Sequence, residues 1–275
     1  MSRTRQSIIM SVLMSLLPVL VFAAPPAVLT WEAGDGGAGV TSQTTYFGSA
    51  VASGDAILTC GHWGPTTAVA TVTDTVGNTY TPVWAEPIRM PNGSTQTAQC
   101  FLATNITGTS NDFGVRWNYS QPTVGFSLVN AVSFSGVDPI DPIDTYATNT
   151  GSGTTLTSGT IRRTRYPAEM LIGFFMADSY VTPWTTGSGY TQGGYDASTL
   201  FEYRSVPFLA GPTSASASSG ASANWVGTII ALRGTGECDD DRFFHSQKPH
   251  WDYTDIPISA IKEVFRRLDM DEDDF

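Results

Sequence analysis

The chain of 275 residues carries 25 acidic and 14 basic side chains for a net charge of −11, and only 14% of its residues are charged, against about 25% in an average soluble domain. A sequence pI near 4.5 argues against a nucleic-acid partner held by phosphate neutralisation. With 26 Ser, 36 Thr, 27 Gly, 16 Pro and 41% hydrophobic residues, the composition excludes a helical bundle, a coiled coil or collagen and fits an ordered, turn-rich β protein with enough apolar residues for a sizeable core.

In chain order, residues 1–23 read as a secretory signal: Arg3 and Arg5 precede an apolar run from Ile8 to Phe22, and Ala23 and Ala24 are small. Cleavage there predicts a secreted or extracellular protein with no stable membrane span, and retention would leave an N-terminal anchor. Residues 24–39 read as a flexible entry. Its Gly34-Asp35-Gly36-Gly37-Ala38-Gly39 fits a dinucleotide fingerprint, but strand-like sequence follows where a phosphate-binding helix would be needed.

From 40 to 235, short runs rich in Val, Ile, Thr, Tyr, Phe and Trp alternate with Gly, Pro, Asn, Asp and Ser clusters. Strands are expected at 40–51, 55–62, 68–73, 79–86, 96–104, 113–119, 126–135, 155–161, 169–177, 199–206 and 224–233. Segments 69–73 and 113–117 alternate, so each has one wet face, whereas Met170 to Met176 and Val226 to Leu232 are continuously apolar and read as central strands. The expected fold is all-β: a two-sheet antiparallel β-sandwich, jelly-roll-like.

Residues 236–275 form a distinct acidic tail with net charge −7, leaving −4 for the rest. Ile258, Ile261, Val264, Phe265 and Leu268 recur at helical spacing, predicting a short amphipathic helix. That helix either packs back on the sandwich or docks onto a partner, including another copy of the chain.

Three cysteines allow one internal bridge. Cys60 and Cys100 lie in strand-like segments, and bridging them would stabilise the fold by about 4 kcal/mol on the chain-entropy view; two buried free thiols are the alternative. Cys238 is left over, free or available for a bridge between chains.

Three segments carry a resemblance: Val72-Thr73-Asp74-Thr75-Val76-Gly77-Asn78-Thr79-Tyr80; then Phe134-Ser135-Gly136-Val137-Asp138 with Pro142 and Asp144; and Trp225-Val226-Gly227-Thr228-Ile229-Ile230-Ala231-Leu232. In order and spacing, residues 40–233 resemble a largely uncharacterised family of β-sandwich domains in secreted bacterial proteins and phage structural proteins. The resemblance implies a jelly-roll-like sandwich used for adhesion, glycan binding or assembly, and it brings no catalytic residues. The acidic tail lies outside it.

Catalytic signatures are scarce. The first lysine is Lys248, so the body holds no Walker lysine, and G-x-S-x-G, H-E-x-x-H and C-x-x-C are missing from the sequence. His62, the body's only histidine, would have to serve as base in any hydrolytic triad. Asp138, Asp141 and Asp144 recur every third residue on a Pro-containing loop; they read either as oxygen ligands of a structural calcium or as turn residues bonding nearby backbone N–H groups. No other cofactor is expected.

The most binding-like stretch is 178–196. Tyr180, Trp184, Tyr190 and Tyr195 are set among Gly, Ser and Thr and flanked by Asp178 and Asp196, a paratope-like mixture of rings and small polar groups. Trp184 or Tyr190 is the expected platform for a sugar ring. The sequence therefore points to a non-catalytic extracellular recognition or adhesion module for a glycan or surface ligand. The alternative is a structural subunit of a virion, sheath or filament that grips its neighbour through 236–275.

Overall fold

The computed structural model describes residues 24–235 except 110, 167 and 207–209. The expected signal segment 1–23, the expected helix and Cys238 lie outside the described residues. Among the described residues there is no helix, and the regular structure consists of fifteen strands: β1 (Ala27–Gly36), β2 (Ser42–Tyr46), β3 (Ala56–Trp63), β4 (Ala70–Asp74), β5 (Thr81–Pro82), β6 (Ile88–Arg89), β7 (Thr97–Ala103), β8 (Gly114–Tyr119), β9 (Ser127–Ser135), β10 (Ile143–Thr157), β11 (Glu169–Ala177), β12 (Trp184–Thr186), β13 (Thr191–Tyr195), β14 (Thr199–Val206) and β15 (Ser216–Arg233). No helix among them is long and apolar enough to cross a membrane.

The strands form three antiparallel sheets. The first six-stranded sheet runs β1-β9-β3-β7-β5 with β6 also on β7, the second runs β10-β15-β11-β14-β13 with β12 on β15, and a three-stranded sheet runs β2-β8-β4. The continuously apolar segments of β11 and β15 do lie in mid-sheet. Every strand of the second sheet comes from residues after 142, and every strand of the other two from residues before 136.

Sandwich packing is present, with one sheet more than expected. Leu58, Cys60, Val132 and Phe134 of the first sheet meet Ile172, Phe174, Phe201, Val226 and Ile230 of the second in one core. Because successive side chains of a strand point to opposite faces, Ile57, Phe101, Val129 and Ala131 point the other way. There they pack on Ala70, Val72, Val115, Trp117 and Tyr119 of the three-stranded sheet. β3 and β7 are buried at every position, so the first sheet needs a cover on both faces, which a two-sheet sandwich cannot supply. A third cluster lies on the far face of the second sheet, where Leu171, Phe175, Leu200 and Ile229 are covered by Leu156, Trp184 and Ala215.

The entry segment differs from its reading as a flexible 24–39. Residues 27–36 form β1, paired with β9 from Ala27↔Ser135 to Gly36↔Ser127. Its glycines serve close approach: a Cβ on Gly34 would lie 2.4 Å from Thr45 Oγ1, and one on Gly36 would lie 2.6 Å from Ser127 Oγ. Cys60 and Cys100 stand opposite each other in the β3–β7 register and form a disulfide closing a 40-residue separation. Of the two readings of these cysteines, the bridge is the one found.

Candidate functional site

Two of the three segments that carry the resemblance are explained by internal bonding. Asp74 Oδ1 accepts from the backbone N–H groups of Val76, Gly77 and Asn78 at 3.0, 2.7 and 3.0 Å, and Oδ2 accepts from Asn78 Nδ2 and the Tyr80 hydroxyl. Asn78 in turn exchanges two bonds with the Thr107 backbone. The Asp, Asn and Tyr of this motif thus fasten a turn to the 105–109 loop.

The Asp138–Asp144 loop is also self-contained. Asp138 Oδ1 accepts from the Ile140 and Asp141 amides at 2.8 and 3.1 Å. Both Asp138 and Asp141 pair with Arg233, whose guanidinium lies 3.7 Å from the Tyr166 ring centroid. Asp144 pairs with Arg165. Among the described residues no group of three or more His, Cys, Asp or Glu gathers as a metal site would require. The stiff loop sends its carboxylates to two guanidiniums and to local amides.

The 178–196 stretch divides. Trp184, expected as a sugar platform, is only 7% exposed and donates from Nε1 to Asp196 O at 2.9 Å. Its ring belongs to the core on the far face of the second sheet and offers no face to a ligand. Asp196 Oδ1 accepts from the Ser198 and Thr199 amides, fixing the turn into β14, and burial pushes its carboxyl pKa up against the opposing effect of those bonds. Tyr190 is half-buried beneath Arg204, 5.1 Å from guanidinium carbon to ring centroid, and its hydroxyl is pushed up to about 12, mainly by burial. Tyr195 is exposed on β13, beside Gly194, whose missing Cβ makes room for the Trp31 ring.

Asp178 and Tyr180 behave differently. Asp178 accepts from the Asn224 amide N–H at 3.1 Å and from Asn224 Nδ2 at 2.9 Å, and Asn92 Nδ2 donates to Asn224 Oδ1 at 2.9 Å. A ladder of one carboxylate and two amides therefore links the loops holding Asn92 and Asp178 to strand β15. Asn92 is held at φ 54° in the turn before Gly93, a conformation asparagine tolerates better than most residues. Tyr180 is 60% exposed, and its ring rests on Phe126 at 5.2 Å between centroids. Phe126 stands edge-on to the His62 imidazole, again at 5.2 Å.

His62 is fully buried beneath this pair. Its Nδ1 faces Gln96 Oε1 and its Nε2 lies 3.0 Å from Ser198 Oγ. Gln96 Nε2 donates to the Phe126 carbonyl, which leaves Oε1 toward the ring and makes Nδ1 the protonated nitrogen. Nε2 is then the acceptor and the Ser198 hydroxyl the donor. Burial holds the imidazole down at about 4, against the opposing effects of the Gln96 bond and the Asp178 charge. The Ser198–His62 bond has the direction used in nucleophilic catalysis, but a neutral glutamine stands where a carboxylate would stabilise an imidazolium. Ser198 and His62 both have no exposed surface. The trio pins the first six-stranded sheet to the turn before β14 and supports the aromatic pair above it.

Phe126, Asn224, Gln96 and Ser198 were not singled out by the sequence. Their partners stand between 30 and 136 residues away, and no local pattern announces such meetings. Compared with known proteins, the chain matches no family model, no curated protein and no solved structure.

Proposed function

We propose that this chain is a non-catalytic extracellular recognition module built on a jelly-roll-like sandwich, and that it binds a glycan or another surface ligand at the Tyr180 end. The observation that carries the reading is an exposed ring, braced from beneath by Phe126 and His62, beside the Asp178–Asn224–Asn92 ladder. A rigid aromatic face next to planar polar groups presents a large contact area at little conformational cost. The Cys60–Cys100 disulfide supports an extracellular setting, and the resemblance to domains of secreted bacterial and phage structural proteins supports adhesion or assembly. Binding to immobilised glycans or to cell surfaces tests the reading. Tyr180→Ala is expected to weaken it by about tenfold or more with an unchanged melting temperature, and equal binding by a folded Tyr180→Ala protein would remove the site.

The alternative, a structural subunit of a virion, sheath or filament, draws on a second feature. A groove of about 360 Å³ beside the Asp138–Asp144 loop is lined by Pro82, Leu102, Pro139 and Pro142, and Ile140 on its rim is 75% exposed. This reading expects concentration-dependent assembly of the full chain; light scattering that finds only monomer removes it.

A further inference from the structure

We propose that the Tyr180 site takes a neutral sugar, held by one ring face and its hydroxyls, and discriminates against chains bearing sialic acid or uronic acid. The inference rests on the recognition reading above and narrows its ligand.

The first argument is shape. The Tyr180 ring leans on Phe126 at an interplanar angle of 48°, and the residue keeps 60% of its surface in solvent. The C–H face of a pyranose fits such a platform, because it is flat, apolar and of similar width. Phe126 and His62 are themselves held, so the ring loses little freedom when a ligand covers it.

The second argument is hydrogen-bonding capacity. A side-chain amide has two N–H donors and a carbonyl with two lone pairs, and a carboxylate has about four acceptor positions. Within the described residues Asn92 uses one N–H, Asn224 uses one N–H and one carbonyl lone pair, and Asp178 accepts two bonds. Donors and acceptors both remain, side by side, on groups whose orientation is already fixed. Sugar hydroxyls, which donate and accept at once, use such a mixed set fully.

The third argument is charge. Residues 24–235 contain seven arginines and no lysine. Arg165 and Arg233 are committed to Asp138, Asp141 and Asp144, and Arg204 lies over Tyr190. No ion pair among the described residues includes Asp178. A ligand carboxylate would therefore meet the charge of an Asp178 carboxylate that no ion pair among the described residues neutralises, which is rejection by repulsion more than by shape.

The test uses the full chain on an array of neutral, sialylated and uronate-bearing glycans at low and high salt. The variants Tyr180→Ala and Asp178→Asn are run in parallel, each checked by thermal melting. The expected result is salt-insensitive binding of neutral glycans, about tenfold or more weaker in Tyr180→Ala, with acidic chains excluded by the wild type and less so by Asp178→Asn. Acidic chains bound as well as or better than neutral ones, but lost in Tyr180→Ala, would overturn the neutral-sugar inference and leave the recognition site standing. Binding that a folded Tyr180→Ala protein retains, or no binding to any glycan, overturns the inference; the first of these also removes the site from the recognition reading.

Discussion

His62 and Glu202 are both fully buried, one on β3 of the first six-stranded sheet and the other on β14 of the second, and the fold treats them in opposite ways. The imidazole has a neutral side-chain partner at each ring nitrogen, so its uncharged form is completely satisfied. The Glu202 carboxyl is half satisfied. Its Oε2 accepts from the Gly187 amide at 2.8 Å, while Oε1 has no hydrogen-bond partner among the described residues. Gly173, opposite it on β11, leaves the space it fills, since a Cβ there would lie 2.8 Å from Glu202 Cγ. Burial pushes Glu202 up to about 7, despite bonds from the Gly187 and Ser216 backbone. A base can be buried cheaply when it sheds its proton, whereas an acid must keep its own to be buried at comparable cost.

The largest expected effect breaks the satisfied side. His62→Phe strands Gln96 Oε1 and the Ser198 hydroxyl in a dry interior, and about 3–5 kcal/mol of stability should be lost in urea unfolding; a loss below about 1 kcal/mol would show that the pin carries little. Glu202→Gln acts in reverse. Removing a carboxylate that the fold prefers protonated should stabilise the protein by on the order of 2–3 kcal/mol at pH 8 and have little effect at pH 4, and destabilisation at pH 8 would contradict the assignment.

The pH profile sharpens the contrast, because the two linkages run in opposite directions. His62 is lowered from 6.5 to about 4, so its contribution is fully present above about 6.5 and is lost as pH falls through about 4. Glu202 is raised from 4.5 to about 7, so its contribution is fully present below about 4.5 and is lost as pH rises through about 7. Between those limits the two should largely cancel. Denaturation midpoints taken from pH 4.5 to 6.5 should then rise steeply with pH in Glu202→Gln and more gently in the wild type. The smallest effect is that of Ser198→Ala, which removes one donor to Nε2 and should cost about 1–2 kcal/mol.

What the sequence made legible follows from where each strand's information lies. β3, β7, β9, β11 and β14 are buried along most of their length and appear in the sequence as apolar runs. β12, β13 and much of β10 are rich in Gly and Thr, and these strands and the mixed-composition β1 are largely half-buried or exposed; backbone pairing with a neighbour defines them, and side-chain patterning cannot reveal it. The third sheet had a trace in the sequence, since Ala56-Ile57-Leu58 is apolar toward both faces, but such a run also fits a strand covered by loops. Within the candidate site, Asp178 and Tyr180 were found as members of a ring-rich loop. Trp184 misled because an indole among Gly, Ser and Thr reads as displayed. Its partner, the Asp196 carbonyl twelve residues on, becomes visible only once the chain has folded back.

The allotment of strands has a further consequence. Since residues before 136 supply two whole sheets and residues after 142 supply the third, the segment between them is a seam: no sheet would lose a strand if the chain were opened there. The disulfide lies entirely on the N-terminal side, so each piece would keep its own ladders. What they would have to recover is the shared apolar face containing Phe134, Phe174 and Phe201. Divided at this seam, the molecule has the makings of a complementation pair whose halves find each other through a hydrophobic surface, with the Ser198–His62 contact and the Asn92–Asn224 bond as markers of correct reunion.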